Sequence, residues 1–283
     1  MDANAVLWEE LRQRHIVQID DLEPEAIVEL ALRYAVWLPL DTYIRSPWLA
    51  PFAVRKIRVR TDVHAAGAKR DLWGLPDPHG YFTDDNSLIK GVANKRSVSP
   101  ASSPYGTGPI SKGFVCCHVW PGTTGDPLLF SFVANLVWLP ASLARYSDVH
   151  PSGSAHLVHD TLKALAIRRY RTAKPEVAAG RVDAAWAALN TQIEPLIVEP
   201  VANEFIVGDR VVRLVKRRLN RLTQFLEATL DDQTALPARF SRRYHAGTGK
   251  HIDTSVLPIQ QFVSAQARIQ LLNDMRACKP LPR

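Results

Sequence analysis

His118 closes a short apolar run that begins at Phe114, and Asn135 opens a second one, Leu136 to Leu139, across a loop rich in Gly, Thr, Asp and Pro. A histidine changes charge near neutral pH and can take a proton from water. An amide facing it across a hairpin can orient that base or hold the hairpin. Base, amide and divalent cation are what phosphodiester hydrolysis needs: something to activate water, something to hold it in place, and charge to offset the negative charge growing on phosphate. Mg²⁺ prefers oxygen and keeps several waters, so one or two protein ligands suffice. Mn²⁺ would serve equally, and no organic cofactor is expected.

Each candidate has a plainer reading. Strand alternation puts His118 in phase with Phe114, Cys116 and Trp120 on an apolar face, where a histidine can simply be buried against backbone. Between Gly80 and Lys90, Asp84 and Asp85 could hold a metal. No acid stands two positions before Lys90, however, and an Asx-rich turn leading into a short element is preferred. His156 and His159 are spaced to share a metal on a helix, but Asp160 and Lys163 beside them favour a solvated face. Gly247-Thr248-Gly249-Lys250 lacks the upstream glycine and following hydroxyl of a phosphate loop.

The elements that position these residues fall into three segments: 1–50, 51–152 and 153–283. The first reads as two helices. One spans about 3–15, and the other starts at Pro24 with the stripe Ile27, Leu30, Ala31, Tyr34 and Leu38. The second has short apolar runs punctuated by Gly and Pro. In the third, helical spacing returns with Val158, Leu162, Leu165 and Ala166, then Val182, Trp186, Leu189 and Ile193. Two further stripes follow, Val212 to Leu226 and Phe262 to Leu272. The fold class predicted is α+β, with a hairpin in a small mixed or antiparallel sheet embedded between helical segments.

A net charge of +7 favours polyanionic partners. Cations are also patterned. Lys56, Arg58 and Arg60 alternate with Ile57 and Val59, while Arg210, Arg213, Arg217 and Arg221 lie opposite a leucine stripe. Lys95 and Arg96 add a pair, and Arg239, Arg242 and Arg243 a cluster. Three cysteines, two of them adjacent, exclude a disulfide framework and a four-cysteine zinc site. No apolar stretch reaches spanning length and the opening residues lack a signal core, so a cytoplasmic protein with no membrane partner is expected.

His118-Val119-Trp120-Pro121 followed by Asn135-Leu136-Val137-Trp138-Leu139 resembles the HNH, or ββα-metal, nucleases over residues 114–150. In that family a strand ends in the histidine base, a loop follows, and an asparagine precedes an apolar stretch and a helix carrying the last ligand. Cys117 replaces the acid often found before the base. Asp148 and His150 are nearest to the missing third motif, and with His118 they are the metal ligands the resemblance implies, Asp148 favoured because Mg²⁺ selects oxygen. The resemblance implies a metal-dependent endonuclease of restriction or defence type, with His118 and Asn135 as catalytic residues. DNA is the expected partner, with RNA a second candidate and a second copy of the chain a third. The alternatives are a non-catalytic DNA- or RNA-binding protein and a metal enzyme of unrelated chemistry centred on Asp84 and Asp85. Phosphate tracking has a direct test, because each contact releases counterions. Replacing Arg213, Arg217 and Arg221 by neutral residues should lower DNA affinity and reduce the salt slope by about one unit per lost contact. An unchanged slope would make that helix ordinary solvated surface.

Overall fold

The computed structural model describes residues 1–49, 53–55, 82–84, 103–106, 112–126, 128–147, 154–176, 179–193 and 203–205, with scattered positions between 89 and 276. Helix α1, Ala3–Gln13, is capped by Asp2, whose Oδ1 accepts the amides of Asn4 and Ala5 at 3.0 and 3.2 Å. Helix α2, Pro24–Tyr34, starts on its proline and buries the expected stripe of Ile27, Leu30, Ala31 and Tyr34. Leu38, the last residue of that stripe, is buried outside the helix. The chain turns extended at Ala35 and forms a two-residue strand β1, Val36–Trp37. Helix α3, Leu40–Arg45, comes next.

Two further short strands, β2 (Ala53–Arg55) and β3 (Phe82–Asp84), pair in parallel, with Arg55 opposite Asp84. Asp84 therefore ends a strand and does not open the turn expected there. Asp85 lies outside the described residues.

The hairpin is present. Strand β4, Phe114–His118, runs antiparallel to β5, Leu136–Pro140, with His118 opposite Leu136 and Cys116 opposite Trp138. Strand β5 is buried at all five positions, so both of its faces are covered. It pairs antiparallel with β1, and β1 pairs in parallel with β6, Asn203–Glu204. The order β4-β5-β1-β6 is a small mixed sheet in an α+β fold, and strands from all three sequence segments share it.

Pro140 ends β5 and leads into α4, Ala141–Ala144. Helices α5, Ser154–Tyr170, and α6, Ala179–Ala188, follow, and α5 packs on α2. Val158, Leu162, Leu165, Ala166, Val182, Trp186 and Leu189 are buried as predicted. His159 is also buried, with 1% exposed, contrary to the wet face expected. It lies on the stripe of Ala155, Val158, Leu162 and Ala166, so helical phase outweighs its polarity. Described positions from 213 to 230 and from 266 to 276 are helical, and Arg276 pairs with Glu227 at 2.8 Å. Ile269 is exposed while Leu272 is buried, so the stripe expected there is not one buried face. Among the described residues, no helix is long and apolar enough to cross a membrane.

Two aromatic series fill the core. On one, Phe205 packs edge-on against Trp138 (5.1 Å) and Phe114 (5.8 Å), and Tyr105 bridges Phe114 to Tyr34. On the other, contacts run from Trp37 through Tyr170 and Tyr43 to Phe132, which touches both Trp48 and Trp186. The second series leads to the loop of the hairpin.

The amino end is clamped to that hairpin. The Ala3 amide donates to the Lys112 carbonyl (2.9 Å), Ala141 to the Gly113 carbonyl (2.8 Å), and Ser142 to Asn4 Oδ1 (2.9 Å). Gly113 has φ +80°, and a Cβ there would meet the Asp2 carboxylate and the backbone nitrogens of Asn4 and Ala3, the latter two at 2.6 and 2.9 Å. Gly113→Ala should cost about 2 kcal/mol or more, combining left-handed strain with loss of the clamp. Denaturant titration provides the measurement, and a loss below about 0.5 kcal/mol, the range of ordinary surface changes, would mean the clamp is incidental.

Candidate functional site

His118 is the last residue of β4, and its ring is buried with 8% exposed. It stacks on Phe130 at 5.7 Å, and its Nε2 lies 2.8 Å from the Phe130 carbonyl oxygen. A carbonyl can only accept, so Nε2 carries the hydrogen in this contact and the lone pair of the neutral ring sits on Nδ1. Strand pairing sets the position of the ring, and the carbonyl sets its tautomer.

Asn135 closes a short 3₁₀ turn, Val133–Asn135, just before β5, and is fully buried. Its Oδ1 accepts the Trp120 amide at 2.9 Å. Its Nδ2 donates to Thr123 Oγ1 at 2.8 Å and to the Leu129 carbonyl at 3.0 Å. The Asn135 backbone carbonyl takes the Val119 amide at 2.9 Å, and Thr123 Oγ1 donates to the Trp120 carbonyl at 2.7 Å. One side chain thus ties both ends of the connection between the strands. These contacts satisfy backbone groups that have no ladder partner in a dry interior.

His118 and Asn135 therefore meet the same turn through adjacent carbonyls, those of Phe130 and Leu129. The preceding carbonyl, of Leu128, accepts Trp48 Nε1 at 2.7 Å. The backbone of Pro47 and Leu49 pairs with Val133 and Ser131, so the segment before Ala50 is laced to this loop. Beneath it, Phe132 and Trp186 pack on Tyr43, whose hydroxyl accepts Trp186 Nε1 at 2.9 Å. Burial pushes the Tyr43 phenol above its ordinary value of 10.0, so it remains neutral at physiological pH.

Trp48, Thr123 and Asp126 were not singled out by residue type and spacing, although Asp-Pro at 126–127 is a turn signal that could have marked the last. Two cations also stand beside this layer: Arg171 lies 5.3 Å from the Trp186 ring centre and Arg181 6.0 Å from that of Trp48.

The expected ligands Asp148 and His150 lie outside the described residues, as do Lys56, Arg58, Arg60, Lys95, Arg96, Arg217 and Arg221. Arg213 is helical and exposed. Among the described residues no group of three or more His, Cys, Asp or Glu is arranged to hold a metal. His118 Nδ1 is chemically suited to be a proton acceptor. As an imidazole nitrogen it is poorly matched to Mg²⁺, which selects oxygen.

Comparisons with protein-family models, with curated proteins and with solved structures find no match to this chain.

Bracing by Asn135 has a measurable consequence. Asn135→Ala strands the Trp120 amide and the Leu129 carbonyl in the interior and should destabilise by about 2–4 kcal/mol. Asn135→Asp should be at least as damaging, because a carboxylate oxygen would then face the Leu129 carbonyl where Nδ2 now donates. Urea unfolding monitored by tryptophan fluorescence reports both, and an Asn135→Ala midpoint equal to wild type would remove the bracing role.

Proposed function

We propose that the chain is a metal-dependent nuclease that hydrolyses phosphodiester bonds of DNA in the cytoplasm, in a restriction or defence role. One observation carries the reading: a strand-end histidine whose tautomer is set by a loop carbonyl, in a hairpin braced by the asparagine that opens the second strand. The order of strand-end histidine, loop and asparagine is the one the resemblance to HNH nucleases implies.

In the proposed reaction His118 Nδ1 takes a proton from the attacking water. Asn135 holds the hairpin, since both ends of its amide are committed to backbone and Thr123. Asp148, with His150 as the second candidate, would hold Mg²⁺ or Mn²⁺, whose charge offsets that developing on the phosphate. Arg213 and the other patterned cations would track the DNA backbone, and a second copy of the chain would supply the other strand's cut.

The small exposure of His118 favours a second reading, a non-catalytic DNA- or RNA-binding protein in which histidine and asparagine merely brace the hairpin. Incubation with plasmid DNA separates the two. The nuclease reading expects cleavage with Mg²⁺ or Mn²⁺ and none with chelator. It also expects a loss of at least about 10²-fold for His118→Ala with DNA affinity nearly unchanged. Wild-type-like cleavage by that variant would remove His118 from the mechanism, and binding without cleavage by the native protein would favour the second reading.

A further inference from the structure

Three successive carbonyls, of Leu128, Leu129 and Phe130, receive Trp48 Nε1, Asn135 Nδ2 and His118 Nε2. The backbone that presents them is a short turn, with the Leu129 and Phe130 amides bonded back to Asp126, and such a turn needs something to hold it. Asp126 supplies this. Its Oδ1 accepts the Leu128 amide at 2.7 Å, and its backbone carbonyl accepts Leu129 at 3.1 Å and Phe130 at 2.8 Å. The side chain starts the turn as an Asx cap and the main chain completes it.

From this we infer that Asp126 is a positioning residue: by capping the 128–130 turn it aims the Phe130 carbonyl at His118 Nε2, and so keeps the lone pair of the neutral imidazole on Nδ1. The inference rests on the nuclease reading only for its effect on cleavage. The tautomer is a property of the protein by itself. Its contribution passes through one amide, one carbonyl and then the histidine. What the turn needs from it is an acceptor oxygen at the reach of an Asp side chain. A negative charge is not required. This separates the inference from a role for Asp126 as metal ligand or acid, either of which would need the carboxylate itself.

That distinction makes the substitutions informative. Asp126→Asn keeps an acceptor oxygen at the same reach and removes the charge. Asp126→Glu keeps the charge and moves the oxygens out by one methylene. Asp126→Ala removes both. The measurement is the ¹⁵N spectrum of the His118 imidazole in the metal-free 283-residue chain at one pH where the ring is neutral, with His118→Ala used to assign the signal. Wild type and Asp126→Asn should both show the Nε2–H form, whereas Asp126→Glu and Asp126→Ala should show a mixture of tautomers.

Plasmid cleavage with Mg²⁺ is the second readout. Asp126→Ala and Asp126→Glu should lose at least about tenfold in kcat with KM within about twofold, and Asp126→Asn should restore most of the loss. If Asp126→Ala does not fold, the Asn and Glu pair decides alone. A pure Nε2–H form in Asp126→Glu, or an Asn variant as impaired as the Glu variant, overturns the inference. A native protein that cleaves no DNA, yet whose His118 tautomer follows Asp126 as described, would overturn the nuclease reading and leave the positioning role standing. Cleavage and tautomer that are both indifferent to Asp126 would do the reverse.

Discussion

A connection between two buried strands must satisfy its own polar backbone, and here that requirement falls on one amide side chain. The two ends of this connection, residues 119–120 and 129–135, are buried, where an unpaired amide or carbonyl costs about 1–3 kcal/mol. Asn135 meets the requirement at both ends, accepting from Trp120 and donating to Leu129, with Thr123 as an intermediate. An aliphatic residue could fill the volume but could not supply both a donor and an acceptor. The Nε2 contact of His118 depends on this, because the turn that receives it is the turn that Asn135 holds.

Around this polar centre the structure is apolar and aromatic. Phe132 lies in the loop yet belongs to the core, in contact with Tyr43, Trp48 and Trp186. Rings of this size anchor the loop from below, while Trp48 and Trp120 also use their indole N–H groups to reach backbone carbonyls of Leu128 and Asn190. The site is therefore stiffened from two directions, by hydrogen bonds in the plane of the hairpin and by ring packing beneath it. The clamp between residues 2–4 and Gly113 fixes the far end of the same hairpin.

Much of this architecture was legible in the sequence wherever a periodic pattern was long enough to read. Helix α2 was marked by Pro24 and by apolar spacing, and β4 and β5 by short apolar runs bounded by Gly, Pro and Asn. Strand β1 was not legible, because two residues carry no alternation and its partner β6 is equally short. Polarity alone puts His159 on a wet face, although its spacing already places it among buried neighbours. At the candidate site, the order histidine, loop, asparagine suggested the hairpin and named both residues. The contact of His118 with the Phe130 carbonyl could not be read, since backbone acceptors are the same at every position and leave no mark on residue type. Trp48 was hidden for a different reason: its donor reaches a carbonyl 80 positions away.

Strand order has a consequence for how the chain reaches this state. Val36 and Trp37 are made early, but they sit between β5 and β6, whose pairing residues Trp138 and Asn203 lie about 100 and 170 positions downstream. A nascent chain released to residue 140 could close the hairpin and dock β1 on one side, while the other edge of β1 waited for Asn203 and Glu204. Asn203 then donates to the carbonyls of Arg33 and Ala35, sealing the junction of helix and strand that formed first. Assembly of the sheet is thus governed by loop closure over long separations, so the folding rate and exposure to misassociation depend on its last, two-residue strand.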